Sequence, residues 1–268
     1  YNIYIYIYIY YMIMEIIINK SYDKYSKYKN IIIICAGDNS LHKKKNWFSK
    51  SRQYILCVNY YGDSKEVYDD YKKNSDIFIA SKGPKWVIIR NILLNRKVNL
   101  KILRDFDFIT FPDDDLDLSV SKWNKLFKIG KKYDLNLYQP ALIDNGREYI
   151  TKSHENLIVH PECKLRYINF VEVMAPIFSL KTLHRSLKIL CDPNIKSAWG
   201  VDYVIAERIL NFKKIAVIDS VTMIHTRPRG KISNAMGSSF YKTFQIDPFK
   251  EMEYFLKKYK VSKFKQKT

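Results

Sequence analysis

The apolar residues of this chain fall into short continuous runs that end in turns or in acidic residues. Residues 30–35 are almost entirely apolar and β-branched, and residues 53–61 and 77–80 repeat the pattern. Continuous apolar runs of this length are typical of parallel strands that are covered on both faces. The pattern therefore predicts three such strands in the first third of the chain.

The later runs alternate with stretches of helical periodicity. Strands are predicted at residues 106–111, 135–138 and 214–224, and Gln139 and Pro140 are expected to end the second of these. Helices are predicted at residues 86–94, 119–133, 182–190, 201–210 and, at the surface, from residue 251 onward. Residues 144–168 have little periodicity, which indicates a long loop over a functional site. Strands that alternate with helices predict a single α/β domain with a mostly parallel, Rossmann-like sheet flanked by helices.

The first 28 residues are predicted to be a low-complexity leader and linker, with the folded domain at residues 29–268. Residues 1–11 alternate Ile and Tyr, as a translated dinucleotide repeat would. A membrane anchor at residues 3–18 is the alternative. It is not favoured, because a spanning helix needs roughly 20 apolar residues. A cytoplasmic location is therefore favoured, with the Golgi or ER lumen as the alternative if that segment is an anchor.

Composition excludes global disorder but leaves the meaning of the charge open. The chain has 268 residues, of which 47% are hydrophobic, enough for one sizeable core. The formal net charge is +19, nearly all from an excess of Lys. This charge has three possible explanations. They are AT-rich codon usage, an anionic ligand such as a nucleotide or an acidic glycan, and nucleic-acid binding. Nucleic acid is the least favoured partner, because no recognition motif accompanies the charge.

An acidic triplet supplies the strongest chemical signal. Asp113, Asp114 and Asp115 follow the apolar run at residues 106–111. Alternate residues of extended backbone face the same way, so Asp113 and Asp115 can share one metal ion while Asp114 turns toward a ribose or a sugar. Acidic residues also commonly end strands and cap helices, so the triplet by itself is weak evidence.

A histidine at the end of a second strand strengthens the metal prediction. His225 follows the apolar run at 214–224, and ligands of parallel sheets bind beyond the carboxyl ends of the strands. Carboxylates suit Mn²⁺ or Mg²⁺, and an imidazole nitrogen favours Mn²⁺. Arg227, two residues on, could reach phosphate oxygens. An ordinary hydrogen-bonded histidine is the alternative.

Two further carboxylates are candidate catalytic residues. Asp202 follows Trp199 and Gly200 and could be a general base that removes a proton from an acceptor hydroxyl. It could equally lie in the first turn of a helix, where the helix dipole favours a carboxylate. Glu172 interrupts an apolar run that suggests a buried strand, so it pairs with a cation or hydrogen-bonds an acceptor.

Turn residues after the other strands are candidates for nucleotide binding. Gly37 and Asp38 follow the first predicted strand, and Asp63 follows the second. Lys85 begins the helix after the third strand, where its ammonium could contact a diphosphate or simply be solvated. Together with Asp114 and Arg227 they would line the nucleotide.

Several motifs resemble an uncharacterised, plant and algal domain-of-unknown-function family related to the GT-A glycosyltransferases. The matching stretches are Gly-Pro-Lys-Trp at 83–86, Phe-Pro-Asp-Asp-Asp-Leu at 111–116, Gln-Pro-Ala-Leu at 139–142, Val-Glu-Val-Met-Ala-Pro-Ile-Phe-Ser at 171–179, Trp-Gly-Val-Asp at 199–202, and Val-Ile-Asp at 217–219 with His225. The family usually has Trp-Asp-Glu-Asp where this chain has Pro-Asp-Asp-Asp, so both acidic ends are kept and an aromatic residue is replaced. The resemblance implies a GT-A nucleotide-diphospho-sugar fold and no particular sugar.

These observations favour a metal-dependent, nucleotide-sugar glycosyltransferase with a glycan or protein hydroxyl as acceptor. Asp202 as a base favours inversion of configuration. An inactive sugar- or nucleotide-binding protein on the same fold is the alternative, ahead of a basic nucleic-acid-binding protein.

Overall fold

The computed structural model describes residues 15–95, 106–143, 154–226 and 239–262. Within these ranges ten strands form one sheet, in the order β1-β4-β3-β2-β5-β9-β7-β10-β6, with β8 also paired to β10. The strands are β1 (Glu15–Ile18), β2 (Asn30–Ala36), β3 (Ile55–Tyr60), β4 (Ile77–Ala80), β5 (Phe108–Thr110), β6 (Leu116–Asp117), β7 (Leu137–Leu142), β8 (Arg166–Tyr167), β9 (Ile177–Ser179) and β10 (Ile215–His225).

Helices connect these strands. They are α1 (Ser21–Tyr25), α2 (Lys65–Asn74), α3 (Lys85–Leu94), α4 (Val120–Lys132), α5 (Leu180–Leu190), α6 (Val201–Val204), α7 (Ser239–Thr243) and α8 (Pro248–Tyr259). Ser64, Ser119 and Ser179 cap α2, α4 and α5 by accepting hydrogen bonds from N–H groups of the first turn.

The sheet is mostly parallel, as predicted. β2 pairs in parallel with β3 and β5, β3 with β4, and β7 with β10. β9 is antiparallel to both of its neighbours, β5 and β7, so these two strands also point the same way. Strands β2 and β3 are buried along nearly their whole length, which explains their continuous apolar sequences.

The chain adds strands to the sheet on both sides of β2. From β2 it proceeds outward through β3 and β4, and it then returns to add β5 on the other side of β2. In open α/β sheets such a switch point leaves a crevice beyond the carboxyl ends of the two strands. Residues 37–40 after β2 and residues 111–115 after β5 therefore lie at this crevice.

β7 does not end at Gln139 and Pro140, so that prediction was wrong. The strand continues to Leu142, with Pro140 beside Ile218 of β10. The register with β10 shifts immediately after Ile218. Because proline lacks an N–H, it is tolerated in a strand where the ladder is irregular.

Two other local predictions also require correction. The helix predicted at residues 201–210 is a short α-helix, α6, followed by a π-helical turn at Ile205–Ile209. Glu172 lies in irregular backbone before β9 rather than on a buried strand, because β9 begins only at Ile177. Glu172 can therefore hydrogen-bond the backbone of its own segment.

The sheet begins within the segment predicted to be a leader and linker. β1 pairs antiparallel with β4 at the edge of the sheet. In α1, Tyr25 is buried, and the guanidinium of Arg52 lies 3.8 Å from the centroid of its ring. Residues 1–14 lie outside the described residues. No described helix has both the length and the apolar character needed to cross a bilayer.

A buried ion pair fixes the described part of the predicted long loop to the sheet. Arg166 donates to both carboxylate oxygens of Asp219 on β10, at 3.0 to 3.2 Å. It also donates to the carbonyls of Asn156 and Ile158, and the Asp219 side chain is fully buried. Residues 144–153 of the loop lie outside the described residues.

Helix α8 is not the simple surface element that the sequence predicted. Glu251 and Phe255 are both buried, and Phe255 belongs to the main core. Asp247 caps the helix by accepting from the backbone N–H groups of Phe249 and Lys250, at 3.1 Å each. Lys257 and Lys260 are exposed, whereas Lys258 reaches the buried carboxylate of Asp192.

Replacing Asp219 should strongly destabilise the fold. The change Asp219→Asn leaves the buried Arg166 without its counter-charge, and we expect a loss of about 3–5 kcal/mol in the free energy of unfolding. Urea denaturation measures it. Asp69→Asn, in the exposed pair with Lys65, should cost less than about 0.5 kcal/mol. Equal effects of the two changes would contradict the structural role of the buried pair.

Candidate metal centre and the carboxylates beside it

A short strand pairing brings the acidic triplet to His225. β6, which directly follows the triplet, pairs antiparallel with the end of β10, so that Leu116 lies opposite His225. Thr226 adds two hydrogen bonds to the carbonyl of Asp115, from its N–H at 3.0 Å and from its hydroxyl at 2.8 Å. Two segments that are remote in the sequence are thereby held in fixed register.

Asp113, Asp115 and His225 form a compact group of three potential ligands. His225 Nε2 lies 3.1 Å from Asp115 Oδ1 and 3.9 Å from Asp113 Oδ2. One ligand atom from each residue lies within 4.8 Å of the others. Among the described residues, this is the one group of three His, Cys, Asp or Glu side chains with that geometry. An ion at its centre could contact all three atoms, because metal–ligand bonds are about 2.0–2.6 Å long.

The donor set fits a divalent cation. Two carboxylate oxygens and one imidazole nitrogen suit Mn²⁺ or Mg²⁺, and three protein ligands leave other coordination positions for oxygen atoms of a bound molecule. The Asp115 and His225 side chains are each 8% exposed, whereas that of Asp113 is 30% exposed. The group could therefore hold a metal ion that is reached from the side of Asp113.

Lys85 lies against the same group. Its Nζ donates to Asp113 Oδ1 at 2.6 Å and to the carbonyl of Val173 at 3.0 Å. Asp113 thus faces an ammonium with one oxygen and His225 with the other. Burial raises the pKa of the Asp113 carboxyl, and the charge of Lys85 opposes that rise. The structure places a positive charge beside the candidate metal ligands, and the contact of Lys85 with a diphosphate stays a prediction.

Asp114 turns away from its two neighbours, as the alternation predicts. Its Oδ2 accepts from the hydroxyls of Ser40 at 2.6 Å and Tyr61 at 2.7 Å. Ser40 Oγ also accepts from the backbone N–H of Gly37 at 2.8 Å. A Cβ on Gly37 would lie 2.7 Å from the Tyr61 ring, so this close approach requires glycine. Asp114 therefore joins the turns after β2 and β3.

Asp38 follows β2 and Asp63 follows β3, and their carboxylates are used differently. Asp38 accepts from the hydroxyl of Tyr60 and from the backbone N–H groups of Asp63 at 3.1 Å and Ser64 at 3.3 Å. The hydrogen bond from Tyr60 lowers the pKa of the Asp38 carboxyl. Asp63 pairs with Lys82 and its side chain is 85% exposed. Asp38 therefore organises the turn, while the Asp63 carboxylate faces solvent.

Glu172 and Asp202 form a second acidic site. Asp202 is 8% exposed, and its Oδ1 accepts from the N–H of Tyr203 at 2.9 Å. Burial, reinforced by the negative charge of Glu172, raises the pKa of Asp202 to about 8. Glu172 Oε2 accepts from the N–H of Met174 at 2.8 Å, and its Oε1 lies 3.9 Å from His154 Nε2. Asp202 consequently keeps its proton to a higher pH than an ordinary carboxyl does.

The Glu172 segment adjoins the candidate metal ligands. The N–H of Asp113 donates to the carbonyl of Met174 at 2.8 Å, and Lys85 donates to the carbonyl of Val173. The segment that carries Glu172 is thus connected to the candidate metal ligands through two hydrogen bonds to its backbone carbonyls. Arg227, the remaining predicted phosphate ligand, lies outside the described residues.

Three residues that complete this region are not among those predicted from the sequence. Ser40 and Tyr61 position Asp114, and His154 lies beside Glu172. Ser40 and Tyr61 follow β2 and β3 at the carboxyl edge of the sheet, which could have suggested them. His154 stands in a stretch without periodicity, and only the folded chain brings it to Glu172.

Binding of Mn²⁺ should stabilise the protein through the three ligands. At a concentration one hundred times its dissociation constant, a ligand of the native state adds about 2.7 kcal/mol, so the midpoint of thermal unfolding should rise. Asp115→Asn and His225→Gln should remove the rise. Asp117→Asn, two residues beyond the triplet, is the matched control and should keep it. A Mn²⁺ effect that persists in both ligand variants would contradict this site.

The raised pKa of Asp202 should make stability depend on pH. Between the usual carboxyl range and about pH 8 the native state holds a proton that the unfolded state has lost. The free energy of unfolding should therefore fall as pH rises, by at most about 1.4 kcal/mol per pH unit. Urea denaturation of the metal-free protein from pH 5 to 9 measures it. Asp202→Asn should flatten this slope and Asp69→Asn should not; an unchanged slope in Asp202→Asn would contradict the assignment.

Comparison with known proteins gives one family and structural neighbours. No curated protein matches this sequence. Among solved structures, the chain is similar to S. aureus TarS 1–349 in complex with UDP-GlcNAc, with 13% sequence identity and a TM-score of 0.47. That alignment covers 85% of this chain and 71% of the other. The family described as "Protein of unknown function (DUF707)" matches residues 11–263, which confirms the resemblance to an uncharacterised family, and the chain belongs to it.

Proposed function

We propose that this protein is a metal-dependent glycosyltransferase that uses a nucleotide-diphosphate sugar. The observation that carries the proposal is the group of Asp113, Asp115 and His225 at the switch point of the sheet, with Lys85 beside it. The acceptor would be a hydroxyl of a glycan or a protein.

Stabilisation of the leaving group is the main task of such an enzyme. When the bond to the anomeric carbon breaks, negative charge grows on the departing diphosphate. A divalent cation acts as a Lewis acid toward that charge. Lys85, held 2.6 Å from Asp113, would contribute a second positive charge at the same end of the diphosphate. Both charges would be in place before the reaction, in a partly buried setting.

The turns after β2 and β3 would bind the nucleoside. Gly37 lets the backbone pass close to the Tyr61 ring, and Asp114 holds that ring through its hydroxyl. Asp38 shapes the neighbouring turn, and Asp63 would offer an exposed carboxylate to a ribose hydroxyl. Arg227 would contact phosphate oxygens.

Asp202 and Glu172 would take up the proton of the acceptor hydroxyl. Asp202 would be the base that removes it, with inversion of configuration, and Glu172 would bind the acceptor or share the proton. Because the pKa of Asp202 is about 8 in the metal-free protein, its basic form becomes more populated as pH rises to that value. Transfer should then be faster in mildly alkaline solution than at neutral pH.

Mn²⁺ is the cation that the donor set favours, with Mg²⁺ as the alternative. One of the three candidate ligands is an imidazole nitrogen, which suits Mn²⁺ better than the strictly oxygen-binding Mg²⁺. The distances within the group do not distinguish the two ions, so the choice rests on ligand chemistry.

One observation favours a second candidate, a sugar- or nucleotide-binding protein without transferase activity. Asp202 is only 8% exposed and lies against an otherwise apolar wall, so an acceptor hydroxyl has little direct access to its carboxylate. Calorimetric binding of a donor without turnover, across a donor panel, would support this candidate. Turnover of any donor would exclude it.

Release of nucleotide diphosphate from UDP- and GDP-sugars, with and without Mn²⁺, tests the proposal. The wild-type protein should release product only with the metal. Asp115→Asn should reduce the rate by about 10²–10³, the size expected when charge stabilisation of a transition state is lost. Asp117→Asn should retain activity. Equal rates in wild type and Asp115→Asn would remove the metal from the mechanism.

A further inference from the structure

The loop that leads into Asp202 has an unusual backbone. Ala198 has φ of 63° and Gly200 has φ of 88°, both in the left-handed region. Glycine adopts this conformation readily, but alanine does so only where its surroundings hold it there. Helix α6 begins immediately after Gly200, and Asp202 is its second residue. The placement of Asp202 therefore depends on what holds residues 196–200.

A single buried carboxylate holds this loop. Glu251 Oε1 accepts from the N–H groups of Lys196 at 3.0 Å, Ser197 at 3.1 Å and Ala198 at 2.8 Å. Its Oε2 accepts from the N–H and the hydroxyl of Ser197, both at 2.8 Å. Glu251 is only 8% exposed. Three successive backbone N–H groups thus converge on one charge, which is a strong arrangement for fixing a turn.

Helix α8, which supplies Glu251, is itself fixed to the same part of the chain. Lys258 pairs with the buried carboxylate of Asp192, just before the loop. Arg208, just after α6, donates to the carbonyl of Tyr259 at 2.9 Å, near the end of α8. A Cβ on Gly200 would lie 3.0 Å from the Cα of Met252. The helix therefore supports the loop on both sides as well as through Glu251.

We propose that Glu251 is a positioning residue: through residues 196–200 it sets the place of Asp202, and helix α8 is thereby part of the candidate active site. The proposal rests on the proposed function only in calling Asp202 the base. Asp202 faces Glu172 and an otherwise apolar wall that includes Trp86, Val173 and Ile205. A shift of the loop would move the carboxylate relative to both.

Carboxyl titration by NMR tests the proposal in the full-length, metal-free protein labelled with [¹³C]aspartate. The Asp202 signal is the one that disappears in Asp202→Asn, and in the wild type it should titrate near pH 8. Glu251→Gln replaces two acceptor oxygens by one acceptor and one donor, so the loop N–H groups cannot all be satisfied. Asp202 should then become more hydrated and titrate at lower pH. Ser197→Ala, which removes only the hydroxyl donor, should move the titration in the same direction by less.

Glu253→Gln is the matched control, because Glu253 lies on the exposed face of the same helix. It should leave the titration unchanged. A purely structural role of Glu251 would lower the unfolding midpoint without moving the titration of Asp202. If Asp202 titrates in the folded variants as it does in the wild type, the proposal is overturned. If Glu251→Gln does not fold, the result for Ser197→Ala decides. No sugar donor is needed, so a failure of glycosyl transfer leaves this test unaffected.

Discussion

The pairing of β6 with the end of β10 is the interaction on which the candidate site depends. It is only two residues long, yet it joins Asp115 to Thr226, 111 residues later in the chain. The parallel sheet brings β5 and β10 to the same edge, but several side chains could meet there. The short antiparallel ladder selects Asp115 and His225 and fixes them 3.1 Å apart.

Buried charges around this pairing are balanced in different ways. Asp113 lies against Lys85 and Asp115 against His225, and a bound cation would neutralise the remaining negative charge. Among the described residues no cation pairs with Asp202, and burial raises its pKa to about 8. Because isolated charges are costly away from water, the first arrangement suits a site for an ion and the second a site for a proton. The two lie next to each other through the segment at residues 172–174.

Much of the sheet and the grouping of Asp113, Asp115 and His225 could be predicted from the sequence, because both follow from local pattern. Continuous apolar runs mark β2, β3 and β10, and the residues after parallel strands must meet at one edge. Pro140 misled the strand prediction, since its tolerance depends on a register shift in a neighbour. The burial of Glu251 and the approach of His154 to Glu172 arise from tertiary packing between distant segments. No local pattern encodes either contact.

Pulsed electron paramagnetic resonance of bound Mn²⁺ tests the central claim most directly, because it reports the nuclei that touch the ion. With one Mn²⁺ per protein, the spectrum should show ¹⁴N coupling from an imidazole, and adding UDP should introduce ³¹P coupling. The ¹⁴N coupling should disappear in His225→Gln. A wild-type spectrum without ¹⁴N coupling, or one in which the nitrogen signal survives that change, would show that the acidic triplet and His225 do not hold a common ion.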